Sequence, residues 1–183
     1  MNNLNKINFL IIFILATFFT NLIQSEESFI PKPPSLNSSH YILMDSVSGR
    51  ILAENGADEK IEPASITKIM TGYVAADQIA KGFVNLGDEV LISENCWKKG
   101  GSKMFIREGT KVLFSDLMKG MVIQSGNDAS CAIAEHVAIS EEGFVDLMKL
   151  YIKELGMNNT QLTNVTGWPD PDHYSTARDL AIL

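Results

Sequence analysis

Short apolar runs alternate with polar stretches where the compact part of the chain begins. The runs Tyr41–Met44 and 51–53 flank a polar stretch that contains Ser48 and Gly49. Two such runs separated by a Ser-Gly turn are typical of a β-hairpin. The pattern therefore predicts that the fold opens with two antiparallel strands.

A helical period follows in residues 63–82. Apolar side chains recur at three- and four-residue intervals and share one face of a helix at Ile66, Ile69, Met70, Tyr73 and Val74. Pro63 suits the first turn, where its missing N–H would have no partner, and Gly82 suits the end. The sequence thus places Ser65 and Lys68 at the N-terminal end of a helix.

The middle of the chain predicts short strands and then helices. Strand-like runs occupy residues 89–92, 104–106 and 111–113. Ser115 is the expected cap of a helix that breaks at Ser125-Gly126 before a second helical run.

Two further helices are predicted towards the end of the sequence. Ser140 caps the first, Gly156 closes it, and its apolar stripe consists of Phe144, Met148, Tyr151, Ile152 and Leu155. Ser175 or Thr176 caps the second, and Thr176 with Asp179 fits a capping box. No glycine, proline or polar tail follows, so we expect the sequence to be cut within this helix.

The first 25 residues have the pattern of a secretory signal. Lys6 precedes an apolar run over residues 9–19, and a polar stretch with a small residue at Ser25 follows. The run is short for a bilayer span, although an uncleaved anchor is the alternative. We therefore expect an exported protein with a signal peptide over residues 1–25, a proline- and serine-rich linker over 26–39 and one domain from residue 40.

Charge and the few potential ligands exclude several functions. The formal net charge is −7 and the basic residues are scattered, which argues against a nucleic-acid partner. His40, His136 and His173 lie far apart without ligand spacing, so neither a metal nor a cofactor is expected. Cys96 and Cys131 are no disulfide framework, and we expect two buried or loop thiols, with a bridge in an oxidising compartment as the alternative.

Ser65 and Lys68 stand three positions apart in the stretch EPASITKIM. Residues i and i+3 share a helix face, so the hydroxyl and the amine are expected to meet. A serine attacks a carbonyl once a base takes its proton, and a lysine is such a base when burial or nearby positive charge lowers its pKa. The helix N-terminus also favours the negative charge that develops on the carbonyl. The pair predicts a nucleophile and its base, although a lone S-x-x-K also fits a solvated helix end.

Three S-x-N triplets are candidates for a second polar motif: Ser35-Leu36-Asn37, Ser93-Glu94-Asn95 and Ser125-Gly126-Asn127. The first lies in the linker and the second follows a predicted strand. The third lies in the break between two helices, where a short loop can direct both side chains into a site. A hydroxyl and a carboxamide suit proton transfer to a leaving amine and binding of a peptide carbonyl. We therefore expect Ser125 and Asn127 in the site, with a polar turn as the alternative.

These stretches, in this order, resemble the serine-type D-alanyl-D-alanine carboxypeptidases, low-molecular-mass penicillin-binding proteins of the bacterial cell wall. The resemblance covers nearly everything from residue 41 to residue 183. Four segments carry it: YILMDSVSGRILAENGADEKIEPASITKIMT, GSKMFIREGT, LMKGMVIQSGNDAS and TGWPDPDHYSTARDLA. An ordered set is far more specific than any one motif.

The resemblance implies an α+β fold of the β-lactamase/transpeptidase type, with a helical subdomain packed on an antiparallel sheet. It implies that Ser65 forms an acyl-ester and that Lys68 is its general base. Ser125 would transfer protons and Asn127 would bind the substrate, while residues 93–102 would form a loop at the rim of the cleft. Enzymes of this family cut the terminal D-alanine from the peptidoglycan pentapeptide, and β-lactams trap them. The implied partners are the stem peptide and β-lactams, and the implied location is the periplasm or the outer face of the inner membrane.

The sequence also departs from the family pattern. The third motif, K-T-G, is absent, since Thr166-Gly167 follows Val165 and falls too early. The late sheet strands, the C-terminal β domain and the membrane-anchoring helix are also missing, so membrane association is expected only through segments outside this sequence. We interpret residues 40–183 as a partial catalytic domain and expect them alone to fold poorly and have little activity. A β-lactamase-like hydrolase, disfavoured by Gly126, and a non-catalytic cell-wall-binding remnant are the alternatives.

Overall fold

The computed structural model describes residues 35–183, and its first element is the predicted hairpin. Strands β1 (Tyr41–Met44) and β2 (Ile51–Asn55) pair antiparallel, with Tyr41 opposite Asn55. The carboxylate of Asp45 accepts the backbone N–H and the hydroxyl of Ser48 and so closes the turn. The predicted signal peptide and residues 26–34 of the predicted linker lie outside the described residues.

Helices dominate the rest of the described chain. A 3₁₀ turn, Ala64–Ile66, leads directly into the first of six α-helices: α1 (Thr67–Ala80), α2 (Glu94–Lys98), α3 (Phe114–Gln124), α4 (Asn127–Ala138), α5 (Glu141–Leu155) and α6 (Ala177–Ile182). The predicted caps are confirmed, because Ser140 accepts the N–H of Gly143 and Thr176 accepts that of Asp179. Helices together with antiparallel strand pairs confirm the predicted α+β class.

The second sheet is smaller than predicted. Strands β3 (Glu89–Leu91) and β4 (Lys111–Leu113) pair antiparallel, but the predicted strand over residues 104–106 does not form. The backbone N–H groups of those three residues instead donate to the buried carboxylate of Asp128, at 2.9 to 3.2 Å. The carboxylate thus takes the place of a neighbouring strand and holds Phe105 at a φ of 65°.

Helix α3 starts two residues earlier than predicted, and Ser115 is not its cap. The N–H of Phe114 donates to the carbonyl of Asp88, and that of Ser115 donates to the carbonyl of Leu86. The loop before β3 therefore satisfies the first N–H groups of the helix, and no side-chain cap is needed.

Helix α4 lies at the centre of the core. Its first eight residues, 127–134, are all buried, and it contacts α1, α2, α3 and α5. Large side chains that are fully buried surround it, including Met70, Phe114, Met121, Phe144 and Met148. The Ser125-Gly126 break therefore lies where the central helix begins, so its position is set by the packing of the whole domain.

The apolar stripe predicted for α1 is only half correct. Met70 and Val74 are buried, but Ile66, Ile69 and Tyr73 are each more than 40% exposed. The polar side chains Thr67, Lys68 and Thr71 are buried instead. They face residues 163–173, which supply the carbonyl groups and the imidazole that satisfy them.

Cys96 and Cys131 form a disulfide, so the prediction of two free thiols was wrong. Cys96 lies in α2 and Cys131 in α4, both fully buried, with their Cα atoms 5.2 Å apart. That separation is ordinary for a disulfide. Packing of α2 on α4, which spacing along the sequence does not encode, brings the two together.

A close backbone contact fixes the chain just before Ser65. Gly167 has a φ of 80°, and a Cβ atom placed on it would lie 1.7 Å from the carbonyl oxygen of Ala64. Ala64 itself has a positive φ of 46°. Only glycine permits this approach, so Gly167 lets the loop after residue 160 pack against the turn that carries Ser65.

Among residues 35–183, no helix is both long enough and apolar enough to cross a membrane.

Reduction of the disulfide is expected to destabilise the domain. The bridge closes a 35-residue separation, so opening it should lower the free energy of unfolding by about 3 to 4 kcal/mol. Urea denaturation with and without dithiothreitol measures the difference. A variant with both Cys96→Ala and Cys131→Ala is the control and should not respond to the reductant. Equal stability of the unmodified protein in both conditions would contradict the prediction.

Gly167→Ala is expected to lower the free energy of unfolding much more than a glycine-to-alanine substitution at another position with a left-handed backbone. Gly109, with a φ of 74° and open space where a methyl group would lie, is the matched control. Gly109→Ala should cost about 1 to 2 kcal/mol through backbone strain alone. Gly167→Ala adds the overlap with Ala64 and should cost about 3 to 4 kcal/mol in the same denaturation assay. Equal losses for the two variants would refute the contact.

Candidate active site

Ser65 and Lys68 lie side by side at the start of α1, as their spacing predicts. Ser65 is exposed in the 3₁₀ turn, whereas Lys68 is only 7% exposed in the first turn of the helix. The Nζ atom of Lys68 donates to the Oγ atom of Ser65 at 3.4 Å. The hydroxyl is therefore open to a substrate on one side and in contact with the amine on the other.

Burial changes the acid–base chemistry of Lys68. It lowers the pKa of the ammonium from its ordinary 10.5 to about 8, because the charged form loses hydration. The carbonyl of Thr166 accepts a second hydrogen bond from Nζ at 2.7 Å. At pH 7 about a tenth of the Lys68 amines are then unprotonated, which is enough to supply a general base.

A cleft of about 420 Å³ opens over this pair between α1 and α3. Its lining combines three polar side chains with an apolar wall: Ser65, Lys68, Ser125, Ile69, Gly72, Met118, Met121 and Val122. The structure therefore brings three of the four predicted site residues into one cleft. The apolar wall limits the water around Lys68 and so accounts for its lowered pKa.

Ser125 reaches the cleft because it ends α3 in the left-handed conformation. Its φ is 55°, and the N–H of Gly126 folds back onto the carbonyl of Gly120 at 3.1 Å. This turn separates α3 from α4 and leaves the Ser125 side chain at the cleft. The predicted break is confirmed, and its geometry explains how a residue 60 positions after Ser65 joins the same cleft.

Asn127 borders a neighbouring cavity rather than the Ser65 cleft itself. Its Nδ2 group donates to the carbonyl of Gly100, and its backbone N–H donates to that of Ser102, both at 2.8 Å. The cavity measures about 430 Å³ and includes Thr166 and Trp168 in its lining. Thr166 also binds Lys68, so this residue connects the two spaces.

The other S-x-N triplets do not join the cleft. Ser93 caps α2 by accepting the N–H of Cys96, and Asn95 donates to Glu135 at 2.9 Å. Ser35 and Asn37 are exposed at the beginning of the described chain. The segment 93–102, predicted as a rim, contains α2 and lines the cavity beside Asn127.

Sequence reasoning missed the polar groups that hold the site together. Thr166 and Gly167 are not part of a K-T-G motif, yet both support the site. The carbonyl of Thr166 accepts a hydrogen bond from Lys68, and Gly167 packs against the turn before Ser65. Thr71 donates to the carbonyl of Val165 at 2.8 Å, and Asp128 accepts the backbone N–H groups of residues 104–106. The only signal in the sequence was that Thr67, Lys68 and Thr71 form a polar strip on a helix.

Comparison with known proteins is consistent with this geometry. A family model described as D-alanyl-D-alanine carboxypeptidase matches residues 27–183. D-alanyl-D-alanine carboxypeptidase DacC of Escherichia coli is 46% identical over 156 residues, which are 82% of this chain and 39% of that protein. DacA of Haemophilus influenzae is 38% identical over 182 residues, 97% of this chain and 46% of that protein.

Solved structures give the same result. Penicillin binding protein 5 from Haemophilus influenzae superposes with a TM-score of 0.81 at 40% identity, over 83% of this chain and 45% of that one. The carboxypeptidase DacD from Francisella tularensis superposes with a TM-score of 0.80 at 39% identity, over 86% of this chain and 39% of that one. The chain thus spans less than half the length of these relatives. On the family match and these identities, the chain belongs to the D-alanyl-D-alanine carboxypeptidase family.

Proposed function

We propose that this chain supplies the nucleophile and the general base of a serine-type D-Ala-D-Ala carboxypeptidase that removes the terminal D-alanine of the peptidoglycan pentapeptide. The observation that carries the proposal is the buried Lys68 amine, with its pKa lowered to about 8, in contact with the exposed Ser65 hydroxyl. The chain spans less than half of its relatives, so the complete reaction belongs to the whole protein.

Acylation begins with the transfer of a proton from Ser65 to Lys68. The Oγ atom of Ser65 attacks the carbonyl carbon of the penultimate D-alanine while the neutral amine takes the hydroxyl proton. The tetrahedral intermediate collapses, the C–N bond breaks and the terminal D-alanine leaves. Its nitrogen must gain a proton, and we assign the transfer of that proton from the Lys68 ammonium to the Ser125 hydroxyl, which lines the same cleft.

Hydrolysis of the acyl-ester completes the cycle. A water molecule adds to the ester carbonyl as the Lys68 amine takes its proton, and the C–O bond to Ser65 breaks as the resulting ammonium returns that proton to the Oγ atom. The products are the shortened stem peptide with a free carboxylate and the regenerated serine. Penicillin would enter the same path as an acylating analogue, because its strained amide presents a carbonyl to Ser65.

Asn127 is proposed to bind the substrate amide rather than to take part in proton transfer. Its Nδ2 group is engaged by Gly100, which orients the Oδ1 atom as the acceptor for a substrate N–H. The position of Asn127 at the neighbouring cavity suits contact with the part of the peptide that precedes the scissile bond.

Residues 1–25 are proposed to direct export to the periplasm, where this substrate is found.

Ser65→Ala is expected to abolish covalent labelling by a fluorescent penicillin. The full-length gene product should carry one adduct on the tryptic peptide that contains residue 65, detected by mass spectrometry. Ser48→Ala, at the exposed tip of the hairpin, is the matched control and should label normally. An adduct that survives Ser65→Ala would contradict the assignment of the nucleophile, whereas rapid turnover of penicillin without accumulation would favour a β-lactamase-like hydrolase.

The rate of penicillin labelling is expected to rise with pH and to level off above about 8. The base is the neutral form of Lys68, whose fraction grows as pH rises towards its lowered pKa of about 8. Rates measured between pH 6 and pH 9.5 on the full-length product test this. Lys68→Arg, which keeps the charge but cannot deprotonate in this range, should label at least a hundredfold more slowly. A rate that does not change across this range would exclude Lys68 as the base.

A further inference from the structure

A buried histidine, His173, lies behind the Ser65–Lys68 pair without touching the cleft. It is 3% exposed, and its ring connects two parts of the chain that are 106 residues apart. The Nε2 atom lies 2.8 Å from the hydroxyl of Thr67, and the Nδ1 atom lies 3.0 Å from the backbone nitrogen of Thr163. The ring therefore connects the first turn of α1 to the segment that leads to Thr166.

The hydrogen bonds determine where the ring carries its proton. A backbone N–H can only donate, so Nδ1 must accept the bond from Thr163 and carries no hydrogen. The single proton of the neutral ring is then on Nε2, which donates to Thr67. Burial lowers the pKa of His173, and the nearby Asp170 carboxylate opposes this only in part, which is consistent with a neutral ring.

The segment held by His173 is the one that holds Lys68. Residues 163–166 run along α1 and bind it at three positions: Thr67 through His173, Thr71 through the Val165 carbonyl and Lys68 through the Thr166 carbonyl. The side chain of Asn164 tightens the same segment by accepting the N–H groups of Thr166, Gly167 and Trp168. A displacement at His173 would therefore be transmitted to the carbonyl that contacts Nζ.

We propose that His173, with its proton on Nε2, is a positioning residue that holds residues 163–166 against α1. In this way it keeps the Thr166 carbonyl bonded to the Lys68 ammonium and keeps water away from that ammonium. The inference rests on the proposed role of Lys68 as the general base. His173 is not among the residues that line the cleft, so it acts through Lys68 and not on the substrate. Its removal would admit water beside Nζ.

The direct measurement is the pKa of Lys68, read by NMR from the ¹⁵N or ¹³C resonance of its labelled side chain and assigned with Lys68→Arg. In the unmodified protein the value should be about 8. In His173→Ala it should move upward towards 10.5 by about one unit, because the entering water replaces the lost hydrogen bond to the Thr166 carbonyl and also restores the hydration of the charged form. Penicillin labelling at pH 7 should slow about tenfold as the fraction of neutral amine falls.

Two further variants separate positioning from general stability. Thr67→Val keeps the shape of its side chain and the buried ring but removes the acceptor of the Nε2 proton, so it should raise the Lys68 pKa in the same direction even if His173→Ala does not fold. His173→Asn places an acceptor where Nδ1 lies in the unmodified protein, so the Lys68 pKa should lie between the values in the unmodified protein and in His173→Ala. His136→Ala, which removes a partly exposed histidine paired with Asp88, is the matched control and should leave Lys68 unchanged.

The outcomes distinguish this inference from the proposed function. An unchanged Lys68 pKa in both Thr67→Val and His173→Ala would overturn the positioning role, whether or not penicillin forms an adduct. A ring that NMR shows to be protonated on Nδ1 would overturn it as well. A shifted Lys68 pKa in a protein that never forms a penicillin adduct would support the positioning role and count against the carboxypeptidase.

Discussion

The burial of one ammonium group against one carbonyl group is the constraint on which the site depends. Lys68 would be an ordinary charged side chain on a solvated helix, with its pKa near 10.5. In this fold it is 7% exposed, bound to the Thr166 carbonyl and in contact with Ser65. Hydration lost on burial lowers its pKa to about 8, so part of the Lys68 population near pH 7 is a neutral amine that can accept a proton.

That burial is possible only because the loop after residue 160 packs closely on α1. Gly167 allows the backbone to approach Ala64 where any side chain would collide. Thr67 and Thr71 satisfy polar groups of the loop, so that the interface carries hydrogen bonds in place of water. The same contacts that stabilise the fold therefore keep water from the amine, and the stability of this region is tied to the chemistry of the site.

The second half of the site is organised from the central helix. Asp128, next to Asn127 at the start of α4, binds three backbone N–H groups of residues 104–106, just after the rim. The disulfide joins α2 of the rim to Cys131 in the next turn of α4. The Asn127 carboxamide is held between Gly100 and this helix. The rim is thus fixed to the helix that carries Asn127.

Much of the local structure followed from the sequence. Periodicity and turn residues predicted the hairpin, the helix of Ser65 and Lys68, the break at Ser125-Gly126 and the caps at Ser140 and Thr176, because each depends on neighbours within a few positions. The short distance between Ser65 and Lys68 is of this kind, since one helical turn sets it. The order of the motifs along the chain also pointed to the family.

Other features depended on residues far apart in the chain. The strand predicted over residues 104–106 was replaced by hydrogen bonds to Asp128, and the cysteines expected as thiols met across two packed helices. The Thr166 carbonyl and the His173 ring carry no pattern in the sequence that points to Lys68. The sequence by itself determined which groups stand on which turn. Only the tertiary structure decided which of them lose water and so change their chemistry, because burial is a property of the packed whole.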